Sequence, residues 1–339
     1  MRTLAVLGVS AVLLAACSGG SLTPANGSHA AQSVPARGSW ILPGAGKQWL
    51  LYVSDESLNT VDIYNYRAKN GKLFGQITGL DHPLGQCVDS AGNVYVTAFR
   101  DNEIFEYAHG GITPIAAAYD YYGRPDGCAV DPTTGNIAVT NGVTISTPGS
   151  ILVFSGGLSG SQTLYLGSNV ELDTFDPPAY DPHGNLFFEG YTYSAQAVFG
   201  ELPAGSSTIQ LIGGLTLTEP ASVQWDGAYI AAIDPNYQNS GVVAIFRVTV
   251  SGSTATVVRT TVLNDTCGGS GNYARIYQPY IGGTTRKLNT VVSGNLSVTC
   301  SNRLNFWNYT TGGNPKRVMP ADISPESGSG TSLSPPAGS

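Results

Sequence analysis

The chain has 339 residues, 12% of them charged, with 16 Lys and Arg against 23 Asp and Glu and a formal net charge of −7. No basic run or stripe interrupts this acidic balance, which argues against nucleic acid as a partner. The 43 glycines, 20 prolines and 18 tyrosines suit many short strands joined by tight turns, and no stretch after Cys17 carries apolar residues at helical spacing.

Arg2 precedes an uncharged apolar run from Leu4 to Leu14, and Ala15 and Ala16 place small residues just before Cys17, the layout of an export signal. At about eleven residues the run falls short of the roughly 20 that a spanning helix needs. The segment Leu14-Ala15-Ala16-Cys17 resembles the lipobox of bacterial lipoproteins. That resemblance implies removal of residues 1–16 and a lipid on Cys17, hence an exported protein held to the membrane of the cell envelope. Ser18, where an aspartate often signals inner-membrane retention, favours the outer membrane in an organism that has one. From Ser18 to Arg37 the chain is mostly Gly, Ser, Ala, Pro and Asn, which bury too little apolar surface to offset their ordering entropy. Residues 17–46 are therefore expected to be the lipidated cysteine and a flexible tether, and residues 47–339 the folded body.

That body repeats. A Gly-x-x-Val-Asp strand, a turn ending in Gly-Asn and an alternating apolar strand recur in chain order. The copies are Gly85-Gln86-Cys87-Val88-Asp89 with Gly92-Asn93, Gly127-Cys128-Ala129-Val130-Asp131 with Gly135-Asn136, and Pro178-Ala179-Tyr180-Asp181 with Gly184-Asn185. A fourth is Ser222-Val223-Gln224-Trp225-Asp226, and a degraded fifth runs from Arg275 through Gly282-Gly283 to Val292. Gly-Asn supplies the positive φ of a tight turn, and period-2 alternation buries one strand face. Two further strand-like runs follow each hairpin, as in Val61-Asp62-Ile63-Tyr64 and Leu73-Phe74-Gly75-Gln76-Ile77. The motif aspartates recur at roughly 42 to 50 residues, a period that fits four-stranded propeller blades. The unit starting at Leu50 lacks its inner strand, and Gly330-Thr331-Ser332-Leu333-Ser334-Pro335 lies without a gap on Gly127–Pro132. The expectation is an all-β, six-bladed propeller closed by pairing of a C-terminal strand into the first blade.

These units resemble the NHL-type and gluconolactonase-like six-bladed propellers of exported bacterial proteins, from about Trp49 to the C-terminus. The motif marks a blade rather than a chemistry. Rim candidates just after second strands are Asp55, Glu56, Arg100, Asp101, Asn141, Glu189 and Asp234. Those before inner strands are Asp81, His82, Arg124, Asp126, Asp176 and Glu219. Converging carboxylates, with Glu189 and Asp234 foremost, suit a hard divalent cation such as calcium. The gluconolactonase-like resemblance implies a metal-dependent hydrolase or lyase with an Asn in a Pro-Asn-Gly segment; Pro235-Asn236-Tyr237 is the nearest counterpart and has Tyr in place of Gly. The favoured reading is a non-enzymatic binding or scaffold propeller that presents loops to a protein or glycan. The run Tyr119-Asp120-Tyr121-Tyr122 beside Arg124 is expected in the core, with sugar stacking as its alternative.

Export permits disulfides. Aligning the first two repeat copies shifts Cys87 and Cys128 by one residue in register, so they point to opposite faces of equivalent inner strands and towards each other across neighbouring blades. The remaining pair, Cys267 with Cys300, is expected at a common rim.

Overall fold

The structure, a computed structural model, describes residues 38–68, 70–142, 148–264, 276–282, 289–294, 303–321, 323 and 330–336. Cys17, the export segment, Cys267 and Cys300 lie outside the described residues. Six small antiparallel sheets form a ring, a six-bladed β-propeller in which the first strands of neighbouring blades meet around the axis.

Blades 2, 3, 5 and 6 each have four strands. Blade 2 comprises Pro83–Val88, Val94–Ala98, Glu103–Tyr107 and Pro114–Tyr119, and blade 3 comprises Arg124–Val130, Ile137–Gly142, Ser150–Phe154 and Gln162–Leu166. Blade 5 comprises Ser222–Trp225, Ile230–Tyr237, Val242–Ser251 and Thr254–Leu263. Blade 6 comprises Tyr280–Ile281, Thr290–Gly294, Arg303–Asn308 and Arg317–Pro320. In blade 4 the inner strand is split into Leu172–Phe175 and Ala179–Tyr180, both paired with Leu186–Thr192; Ala197–Leu202 and Gln210–Leu211 follow outward. The split falls at Asp176-Pro177-Pro178, where two prolines have no N–H to give the ladder.

The repeated aspartate is the keystone of the inner hairpins of blades 2 to 5. Asp89 Oδ1 accepts the amides of Ala91 and Asn93, and its Oδ2 accepts Asn93 Nδ2. Asp181 binds His183 and Asn185 in the same way. Gly92, Gly135 and Gly184 take φ of 87°, 71° and 83°, which explains the turn glycine. The motif is thus read out locally, as an Asx-type turn.

Blade 1 closes the ring. Thr331–Ser334 pairs antiparallel with Leu50–Asp55 in the register Leu51↔Leu333, followed outward by Thr60–Asn65 and Leu73–Thr78. A fifth strand, Trp40–Ile41, lies on the outer edge in the register Trp40↔Gln76. This corrects the expected tether of 17–46. Two residues of that stretch belong to a blade, and Ala45 is buried against Leu50, Tyr52 and Ile63. Composition hid this because the strand is only two residues long and borrows its order from Leu73–Thr78.

Blades pack face to face through apolar clusters. Phe187 and Phe199 of blade 4 meet Val223, Ile230 and Phe246 of blade 5, for example, and Leu333 joins Leu51, Leu304 and Met319 where blade 1 meets blade 6.

Candidate functional site at the channel rims

Inner strands begin, and second strands end, at what is here called the upper rim; the aspartate-capped hairpins form the lower rim. The upper-rim carboxylates expected to face the channel are mostly turned to main-chain amides. Glu189 is 0% exposed, and its two oxygens accept the amides of Ala221 and Ile233 in blade 5 at 2.9 and 3.0 Å. Asp234, also 0% exposed, accepts Thr218, Glu219 and Asn236 amides. Asp55 accepts those of Ser57 and Leu58, and Asp101 that of Asp81. Asp120 accepts Tyr122 and Gly123 amides and Asn141 Nδ2. Glu219 is partly exposed in the connection that precedes the inner strand of blade 5. Asn236 closes its own loop by accepting the Gly241 amide. These loops would otherwise leave amides unpaired at the rim, and a buried carboxylate satisfies two or three of them at once.

A smaller set of upper-rim carboxylates is half-buried. Asp126 lies near the start of the inner strand of blade 3, and Asp176 lies between the two halves of the split inner strand of blade 4. Burial raises Asp126, with the Tyr277 hydroxyl opposing and Glu56 adding to the shift. Burial likewise holds Asp176 well above the usual carboxylate range, and Asp126 and Glu219 push it further. One oxygen of Asp176 is buried without a hydrogen-bond partner. Glu56 pairs with His82 at 3.2 Å nearby. Among the described residues, no three His, Cys, Asp or Glu side chains converge as metal ligands would.

The expected core position holds for Asp120, which is buried, and for Tyr122, which packs against the core, but not for the other two residues of the aromatic run. Tyr119 and Tyr121 are 37% and 61% exposed, with ring centroids 4.7 Å apart. Asn102 donates to the Tyr119 hydroxyl, and exposed Arg124 lies over Phe99 at 5.3 Å. Asp120, pinned beneath, turns its neighbours outward. Alternation would have buried two of the tyrosines; the run instead crosses from blade 2 to blade 3, where the strand has already ended at Tyr119.

At the lower mouth, a cavity of about 360 Å³ is bounded by inner strands. Its wall includes Cys87 and Cys128, joined as a disulfide with Cα atoms 5.5 Å apart, the pairing expected from register. Inner-strand glutamines that line it tie blade to blade. Gln224 donates to the Pro279 carbonyl and accepts the Ile281 amide. Gln86 Nε2 donates to Ser54 Oγ and the Gly330 carbonyl. Sequence reasoning missed these glutamines, since a lone Gln on a strand carries no spacing signal.

No protein-family model matches the chain, and no curated protein matches it either. Solved structures do share its fold. One, from a nidogen/laminin complex, has 14% identity and a TM-score of 0.56, covering 85% of this chain and 99% of that one. A functionally unknown protein from Desulfotomaculum acetoxidans has 11% identity and a TM-score of 0.53, with coverages of 85% and 99%. A protein of unknown function from Bacteroides caccae has 12% identity and a TM-score of 0.56, covering 80% and 94%. At such identities the likeness extends to the propeller fold alone.

Proposed function

We propose that this chain is an exported, lipid-anchored binding propeller that engages a protein partner with its upper rim, rather than converting a substrate in the channel. The observation that carries this reading is the exposed Tyr119–Tyr121 pair beside Arg124. Rigid aromatic rings with an adjacent arginine supply contact area at little entropic cost, as in binding hot spots. The engagement of Glu189 and Asp234 with main-chain amides supports a scaffold role for the residues a hydrolase of this fold would use. One structure of similar fold comes from a nidogen/laminin complex, a precedent for the propeller as a partner-binding shape. Anchoring rests on Leu14-Ala15-Ala16-Cys17.

A photo-crosslinking amino acid at position 121 in intact cells tests the rim. A discrete protein adduct, lost in Tyr119→Ala and Arg124→Ala backgrounds, is expected. No adduct, together with a saturable hydrolytic activity lost in Asp176→Asn, would replace binding by catalysis. For the anchor, Cys17→Ser should move the protein out of the detergent phase; unchanged partitioning would refute lipidation.

A further inference from the structure

A second cavity, of about 440 Å³, opens at the lower rim between blades 4 and 5. Blade 4 contributes Asp181, His183 and Glu201; blade 5 contributes Trp225, Tyr229 and the overhanging end of its long hairpin, through Val250 and Gly252. Glu201 is 7% exposed. Its Oε2 accepts Gln210 Nε2 at 3.0 Å, while its other oxygen has no hydrogen-bond donor among the described residues. Burial holds its carboxyl above the ordinary range; the Gln210 hydrogen bond opposes this, and Asp181 adds to it.

The other blades show how this fold handles the same position. Glu106, Glu201 and Arg247 are cross-strand partners of Tyr95, Phe187 and Ala231, each one strand outward from its turn aspartate. In blade 2 the Tyr95 hydroxyl stands between the carboxylates of Asp89 and Glu106. In blade 5 the position is a cation: Arg247 Nε lies 2.6 Å from Asp226 Oδ2, and its guanidinium sits 4.4 Å from the Tyr229 ring centroid. Blade 4 has neither device. Phe187 lacks the hydroxyl, Glu201 replaces the arginine, and a cavity with aromatic walls adjoins the two acids. Two largely buried carboxylates that repel each other with no cation between them are costly, and a cation placed against aromatic faces offsets that cost.

We propose that this cavity binds an organic cation, an alkylammonium or guanidinium group held by Glu201 and Asp181 against Trp225 and Tyr229. The group can come from a free amine or from a lysine or arginine side chain of a protein, and the chemistry of capture is the same. The site lies at the rim opposite Tyr121 and does not depend on the upper-rim reading.

Calorimetric titration of the full chain with agmatine and with N-acetyl-arginine methylamide tests it. Saturable one-to-one binding is expected, with no binding of the neutral isostere butylurea. Glu201→Gln should weaken affinity about tenfold or more. Phe187→Tyr, which restores the hydroxyl that blade 2 uses, should weaken it as well and keeps the test intact if Glu201→Gln fails to fold. Binding of agmatine alone assigns a free amine; binding of the capped arginine assigns a protein side chain. Absence of binding by both cations, equal binding of butylurea, or unchanged affinity in both variants would overturn the proposal.

Discussion

The side-chain carboxamide of Gln278 pairs with the main chain of Gln86 across 192 positions of sequence, accepting its N–H and donating to its carbonyl, both at 2.8 Å. Between them runs the C-terminal strand. Thr331 donates through its amide and hydroxyl to the Gln278 carbonyl, while Ser332 Oγ donates to Gln86 Oε1. Ring closure is therefore a polar lock as well as a strand pairing, joining blades 6, 1 and 2.

Gln278→Ala removes both bonds and leaves two buried main-chain groups of Gln86 unpaired. Each such loss costs about 1–3 kcal/mol, so a loss of roughly 2–6 kcal/mol is expected in denaturant unfolding. Gln278→Glu, whose carboxylate accepts but cannot donate, should fall between. Wild-type stability in Gln278→Ala would refute the lock.

Deleting residues 330–339 removes a strand whose Thr331, Ser332, Leu333 and Ser334 are 2, 4, 6 and 0% exposed. The inner edge of Leu50–Val53 would then be unpaired, and the apolar cluster around Leu51 would open. A large fall in Tm, with aggregation on heating through the bare edge, is expected by calorimetry and light scattering. A truncated chain that melts like its parent would contradict the pairing.

Cys87 and Cys128 close a loop with a sequence separation of 41. Chain-entropy reasoning assigns such a crosslink about 3–4 kcal/mol. Non-reducing peptide mapping should recover the Cys87–Cys128 peptide, and the Cys87→Ala/Cys128→Ala double variant should unfold at correspondingly lower denaturant. A free thiol at either position would contradict the structure.

Asp126 and Asp176 have raised pKa values in the fold, burial being the first cause for both. A carboxyl raised on folding binds its proton more tightly in the native state than in the unfolded chain. Its contribution is complete below the unfolded carboxyl pKa of about 4 and is lost as pH rises through the folded value. Tm should therefore fall between about pH 4 and neutrality through this pair. Asp126→Asn/Asp176→Asn should flatten that slope and raise Tm near pH 8 by about 2–5 °C. An identical pH profile in the double variant would show that the pair does not titrate there.

Much of the architecture was legible in the sequence because the signals are local. Asp89-Ser90-Ala91-Gly92-Asn93 forms its turn from its own hydrogen bonds, and alternation buries the same face in each copy. The Cys87–Cys128 pair was legible for the same reason, since a one-residue shift between aligned strands reverses the side-chain face. Trp40–Ile41 was not, because its order comes from a strand more than thirty residues on, across the edge of blade 1. Tyr121 was misplaced because an alternating aromatic pattern does not reveal that the strand ends at Tyr119.

Sequence by itself determined the repeat, its period, the blade count, the closing strand and the facing cysteines, all properties of local pattern and register. Only the tertiary structure decided the use of each polar group. Glu189 and Asp234 look alike on a strand whether they face a channel or an amide; Glu189 takes its amides from the next blade and Asp234 from the connection that enters its own. Glu201 and Arg247 occupy one register position in adjacent blades, yet one completes an ion pair and the other borders a cavity. Partners of a buried charge are set by proximity in space, to which the one-dimensional spacing of residues is blind.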